Sequence, residues 1–340
     1  MNEIIDYILR FLLGETVSPK IIAKVGYTAN PKEFRRYKLV ILPSAFFSDG
    51  IYGTPESLPH LPLQIWEEAP ILFGDSTVEE VGKTRILHAD LIASTYFLIS
   101  RYEEIVRRDV RDVHGRFPGK ESLPYRAGFI DSPLVDEYGK LLRIQLREVG
   151  LEIPKLSNQI HKMYLTHDVD QLSHYRNFRG FMGGLLRGIR RPKEGNKAIK
   201  SYFGGLINDP WYTSPWLFKL DNSVRQKVGS DRCEPIVFIK VGGGLHKEDK
   251  PFIMHHIQDF QTLIMLCKKK NITFGLHSSY EAGINPDRIA DEKKHLERIS
   301  KKKTTYNRHH YLDSREPEDM QALINVGITD DFTMGYADVA

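Results

Sequence analysis

The sequence predicts an α/β fold preceded by a smaller α+β domain, and three observations carry that reading. From Met163 onward, short apolar strands alternate with helical stretches, the rhythm of a mainly parallel sheet. Ahead of them, residues 36–150 mix an apolar run, a proline-rich stretch and two helical periodicities. The chain has 340 residues, long enough for two domains with separate cores. The boundary is placed at the turn-rich segment near residue 150, giving 1–150 and 151–340.

The elements follow in order. Met1 to Gly14 has the apolar spacing of an amphipathic helix that Gly14 stops. Tyr37 to Pro43 is an apolar run, and the prolines between Pro55 and Pro70 favour extended segments and turns. A helix fits Ala89 to Arg107, capped by Asp90, with Leu91, Ile92, Tyr96, Leu98, Ile99, Tyr102 and Ile105 as its stripe. Gly115 to Lys120 is a loop, Asp131-Ser132-Pro133 precedes a helix to about Val149, and Gly150 to Pro154 reads as a linker. Asp75, Glu79, Glu80, Glu103 and Glu104 are most simply surface charges.

The second domain opens with a strand, Lys162 to Asp170. Further strands fit Pro235–Val241, Ile272–His277, Thr304–Tyr311 and Ile328–Tyr336, and helices fit Phe252–Lys270, Pro286–Lys303 and Pro317–Asn325. Between them lies a basic stretch from Arg176 to Lys200 in which Gly180, Gly183, Gly184 and Gly188 weaken any helix. Its simplest reading is a solvated insertion; the functional readings are a lid or a contact for an anionic glycan or membrane surface.

Hydrophobic residues make up 41% and charged residues 27%, which excludes wholesale disorder. Cys233 and Cys267 form no CxxC pair, so a disulfide scaffold or a cysteine-built zinc site is not expected. A net charge of +4 is too mild to argue for a nucleic-acid partner. No apolar run is long enough for an integral membrane segment, and the acidic start does not read as a signal peptide. A cytoplasmic location is the default expectation.

Chemistry concentrates where strands end. In Thr166-His167-Asp168-Val169-Asp170 the two aspartates share one strand face, so one can hold a metal while the other accepts a proton. Taken alone, the pentapeptide is more simply a solvated strand end. His277 closes the next strand but one and is placed to ligate a metal, although a lone strand-end histidine is more often structural. Asn307-Arg308-His309-His310-Tyr311 then adds an arginine and two histidines at a third strand end.

Thr166–Asp170, Gly275-Leu276-His277-Ser278-Ser279-Tyr280 and Asn307–Tyr311 together resemble, in order and spacing, the first three motifs of the polysaccharide deacetylase superfamily. The resemblance runs from about Lys162 to the end, and residues 36–150 resemble the amino-terminal domain of a bacterial branch of that family. It implies a distorted (β/α) barrel, a divalent metal with zinc as the first expectation, and removal of acetyl groups from an N-acetylated sugar or polysaccharide. By the same resemblance Asp168 is the base, Asp170 and His277 are metal ligands, and Arg308 orients the base.

Two departures modify the expectation. The family's second motif carries another histidine four residues after the first, where this chain has Glu281. Glu281 or His310 would replace it, and His310 is favoured slightly because it ends a strand beside Arg308. The later family motifs, with a second catalytic histidine and the barrel-closing strands, are missing before Ala340. The barrel is therefore expected to be incomplete at its C-terminal end, in a shortened homologue or one completed by a partner. The alternative to a hydrolase is a catalytically silent carbohydrate-binding or assembly protein that keeps the groove.

Overall fold

Apolar residues at intervals of three and four fold Asn2–Leu13 into helix α1, whose Ile8, Leu9, Leu12 and Leu13 are buried. This helix begins the computed structural model, which describes residues 2–14, 16–155, 160–250 and 257–339. The chain divides into two units, Met1–Asp112 with Phe117–Asn158 and Asp338–Ala340, and Val113–Arg116 with Gln159–Ala337.

In the first unit, short helices α2 (Pro19–Ile22) and α3 (Pro31–Phe34) flank strand β1 (Val25–Tyr27). Then come β2 (Leu39–Ile41), β3 (Gln64–Trp66), β4 (Ala69–Ile71), β5 (Val78–Val81) and β6 (Thr84–Leu87). Four of these form one sheet in the order β1-β2-β6-β5, parallel except for the β5–β6 pair, while β3 and β4 form a separate hairpin.

Helices α4 (Leu91–Ile99), α5 (Tyr102–Val106), α6 (Leu123–Arg126) and α7 (Leu134–Glu148) complete this unit. Leu39, Ile41 and Leu87 from the sheet share its core with Leu12, Tyr138, Leu142 and Leu146 from α1 and α7. Asp90 caps α4 by accepting from the Ala93 amide at 2.9 Å. The single helix expected over Ala89–Arg107 is two helices, because Arg101 between them has left-handed backbone with φ of 52°. Arg101 also forks onto Glu104 at 2.5 and 2.8 Å, and Glu103 accepts from Arg107 and Arg126 at 2.9 and 2.6 Å. Glu103 and Glu104 are therefore buried ion-pair partners rather than the surface charges expected. The expected linker is also packed, since Ile153 is buried and Pro154 accepts a hydrogen bond from Arg143.

The second unit is a mixed α/β structure around a curled parallel half-barrel sheet. Its strands are β7 (Met163–Val169), β8 (Cys233–Ile239), β9 (Thr273–Ser278), β10 (Tyr306–His309) and β11 (Asp330–Asp331), in spatial order β11-β10-β9-β8-β7. All four neighbouring pairs are parallel. In a flat sheet β7 and β11 would stand about 19 Å apart at the usual strand spacing. Yet Tyr164 of β7 and Phe332, one residue beyond β11, have ring centroids 5.3 Å apart. The sheet must curl for that contact. Gly275 permits the inner packing, because a Cβ there would lie 2.3 Å from the Phe238 ring.

The outer face carries Val237, Ile239, Phe274 and Leu276. These pack against α10 (Ser214–Val228), α11 (described over Ile257–Lys270), α13 (Arg288–Ser300) and α14 (Glu318–Asn325). A short helix α12 (Tyr280–Ile284) precedes α13. The first five residues of the expected Phe252–Lys270 helix lie outside the described residues, and the last strand is two residues long where Ile328–Tyr336 was expected.

The basic stretch forms two helices, α8 (Phe178–Arg190) and α9 (Pro192–Gly204), contrary to the expectation that its glycines would weaken them. Those glycines are the contact: a Cβ at Gly188 would lie 2.7 Å from the Gly195 Cα, and one at Gly184 would lie 2.5 Å from the Ala198 Cβ. Close backbone approach offsets the low helix propensity. Among the described residues no helix is long and apolar enough to cross a membrane.

Candidate metal centre

Parallel register aligns the candidate side chains. Val169 pairs with Ile239, Ile239 with Leu276, and His277 with Arg308. One position further along, Asp170, Lys240, His277 and Arg308 therefore stand side by side where the strands end, all on the inner face. Asp168 lies on that face two residues earlier, while His167 faces outward and binds Asp221 of α10 at 2.8 Å.

Arg308 fixes Asp168 from three strands away. Its Nη1 donates to Asp168 Oδ1 at 2.9 Å, Nη2 to Thr166 Oγ1 at 3.1 Å, and Nε to the Phe332 carbonyl at 3.1 Å. The guanidinium lies over the Phe238 ring, 4.8 Å from its centroid. With every edge of the fork engaged, the rotamer is determined.

Asp170, His277 and His310 offer three ligand atoms within 4.8 Å of one another. His277 Nε2 lies 3.1 Å, and His310 Nε2 3.4 Å, from Asp170 Oδ1. Tetrahedral zinc with nitrogen and oxygen ligands would hold such donors about 3.4 Å apart. His277 Nδ1 lies 2.8 Å from the Arg308 carbonyl, and His310 Nδ1 lies 3.2 Å from Asp249 Oδ1. Both partners are acceptors, so each ring donates through Nδ1, and Nε2, the atom turned toward Asp170, is the one each ring has left to offer a metal. Two imidazole nitrogens and a carboxylate converging on one point suit a divalent cation, so the residues fit the expected metal.

The supporting shell is buried although the site itself is open. Asp170 has 53% of its side chain exposed, whereas His277 has 3% and Asp249 none. The contact with His277 holds the Asp170 carboxyl below the usual carboxylate range, against the desolvation that would raise it. Burial alone would raise Asp249, but hydrogen bonds from His310 and the Tyr280 and Glu281 amides outweigh it and keep it low. Behind them, burial pushes Glu292 up to about 7 although it accepts from the Ser279 amide and hydroxyl.

Glu281, the other candidate third ligand, stands apart from this cluster. Its Oε1 pairs with Arg288 at 3.2 Å. His309 points to the opposite side of β10, fully buried against Asn307 and Thr333.

Two residues of the site lie outside the sequence reading. Lys240 is 2% exposed, and burial pushes its ammonium below the ordinary lysine range while Asp170, Asp249 and Glu292 pull it back. Alternation along the Pro235–Val241 strand carried a signal for it, since it shares a face with Phe238. Asp249 ends a one-turn helix, Lys247–Asp249, and no periodicity marks it.

A family model described as a family of unknown function (DUF7033) matches residues 2–150, a segment that holds none of the candidate site residues. No curated protein and no solved structure matches this chain.

Proposed function

We propose that the second unit is a metal-dependent hydrolase that removes acetyl groups from N-acetylated sugars, on a distorted (β/α) barrel of the polysaccharide deacetylase type. The observation that carries the proposal is the convergence of Asp170, His277 and His310 beside an Asp168 gripped by Arg308. A divalent metal held by the first three would polarise the amide carbonyl and acidify a water. Asp168 accepts that water's proton at a carboxylate oxygen, and Arg308 holds the carboxylate in position for it. The open exposure of Asp168 and Asp170 leaves room for a sugar to approach.

A second reading, a silent carbohydrate-binding or assembly protein, is favoured by one feature. Lys240 places an amino group in the row between Asp170 and His277, where it opposes a divalent cation.

The two readings part in one experiment on the full chain. After metal reconstitution and removal of excess, the hydrolase reading expects one divalent ion per chain by elemental analysis and acetate release from acetylated chitooligosaccharides. Asp168→Asn should keep the ion and lose the acetate. Failure to retain metal, or glycan binding without acetate release, would sink the hydrolase and leave the silent binder.

A further inference from the structure

We propose that the α8–α9 hairpin is a docking surface for an anionic phospholipid membrane, with its apolar face lying in the headgroup region. On α8, Phe178, Met182, Leu186 and Ile189 recur at intervals of four, four and three, which puts them on one stripe. A stripe of that kind ordinarily faces a core. Here these residues are 70%, 38%, 64% and 80% exposed, and the one buried residue of α8 is Gly184. The reason is the glycine contact: α8 turns Gly184 and Gly188 toward α9, so its large side chains are left facing outward. On α9, Phe203 is 74% exposed, with its ring 5.7 Å from that of Phe181 on α8.

Charge identifies the occupant. Between Phe178 and Gly204 the chain carries seven lysines and arginines and one acid, Glu194. Glu194 is engaged by Tyr175 and Lys197. Among the described residues, Arg179, Arg190, Arg191, Lys193 and Lys200 pair with no carboxylate. Arg179 and Arg190 lie along one edge of the apolar stripe, about 65° and 85° from its centre on the helical wheel, where long side chains reach anionic headgroups while the stripe enters the acyl boundary. A second copy docking on this face would oppose like charges, whereas an anionic bilayer complements them. The thirteen residues of α8 reach only about 20 Å, short of the hydrocarbon thickness, so the hairpin lies on the surface instead of crossing.

The test is flotation of the full-length protein with vesicles of phosphatidylcholine alone or mixed with phosphatidylserine. Binding is expected to the anionic vesicles at low salt, to weaken as salt rises, and to be absent on phosphatidylcholine. Leu186→Glu with Ile189→Glu should abolish it, with the thermal midpoint unchanged because both sites are exposed. Should that pair disturb folding, Arg190→Gln with Arg191→Gln, both exposed, should weaken binding about thirtyfold. Three results would overturn the proposal: no flotation with anionic vesicles at low salt, flotation unaffected by both double variants, or self-association that the first pair abolishes in a protein that does not float.

Discussion

The Nδ1 of His277 lies 2.8 Å from the backbone carbonyl of Arg308, the residue whose side chain holds Asp168 at 2.9 Å. One residue thus supports the candidate metal ligand with its main chain and the candidate base with its side chain. The two roles separate under mutation.

Arg308→Met keeps the carbonyl and removes the fork. Metal affinity should stay within about threefold of the parent while acetate release falls at least about 100-fold. Calorimetric metal titration alongside the turnover assay checks both, and a parallel loss of metal would show that the side chain is needed for the ligand cluster.

His310→Ala and Glu281→Ala distinguish the two candidate third ligands. Loss of His310 should weaken zinc binding by at least about 100-fold, and loss of Glu281, already paired with Arg288, by less than about threefold. Asp249→Asn should fall between them, roughly 10–100-fold, because it alters what orients His310 without removing a ligand. Competition with a chromogenic chelator ranks the three.

Lys240→Met removes an amino group from between Asp170 and His277. Divalent-metal affinity should rise by about tenfold or more, since at short range a like charge costs over 1 kcal/mol even when well screened. Unchanged affinity would mean that Lys240 does not oppose the ion.

Glu292 sets a pH dependence whose sign follows from its burial. The folded chain holds its proton up to about 7, whereas an unfolded glutamic acid releases it near 4.5. The stability this contributes is full below pH about 4.5 and is lost as the pH rises through about 7. Glu292→Gln cannot lose a proton, so its advantage over the parent should grow across that window to about 3 kcal/mol. Asp319, also pushed up to about 7 by burial, acts in the same direction. His309, pushed down to about 4 by burial, acts in the opposite one. The difference between variant and parent in urea denaturation, read at each pH, isolates Glu292.

How much of this was legible in the sequence varies by residue. Apolar runs marked β8 and β9 and strand-like segments marked β7 and β10, and because parallel strands present their C-terminal ends together, Asp168, Asp170, His277, Arg308 and His310 stood out as strand-end groups. Cross-strand register was not legible, so Lys240 could not be set between Asp170 and His277 until the pairs were known. Asp249 reaches His310 over 61 residues of chain from a loop turn, a contact no local pattern encodes. The α8–α9 hairpin misled for a different reason: propensity counts each glycine against a helix, but the Gly188–Gly195 approach exists only between two helices. Arg101 misled in the same way, since its stripe neighbours fit one helix and only its backbone conformation divides them.

Strand β7, which carries Asp168 and ends one residue before Asp170, is one of the sheet's two edge strands, hydrogen-bonded to β8 alone among the described residues. Outer strands are the first to open in native-state fluctuations, so the amides of Met163–Val169 should exchange with deuterium sooner than those of β8 and β9, which have a neighbour on each side. Anything that binds Asp170 together with His277 ties β7 to β9 across the intervening strand, and its binding energy becomes protection of that edge. Slowed exchange along β7 would then report occupancy of the site without a substrate being known.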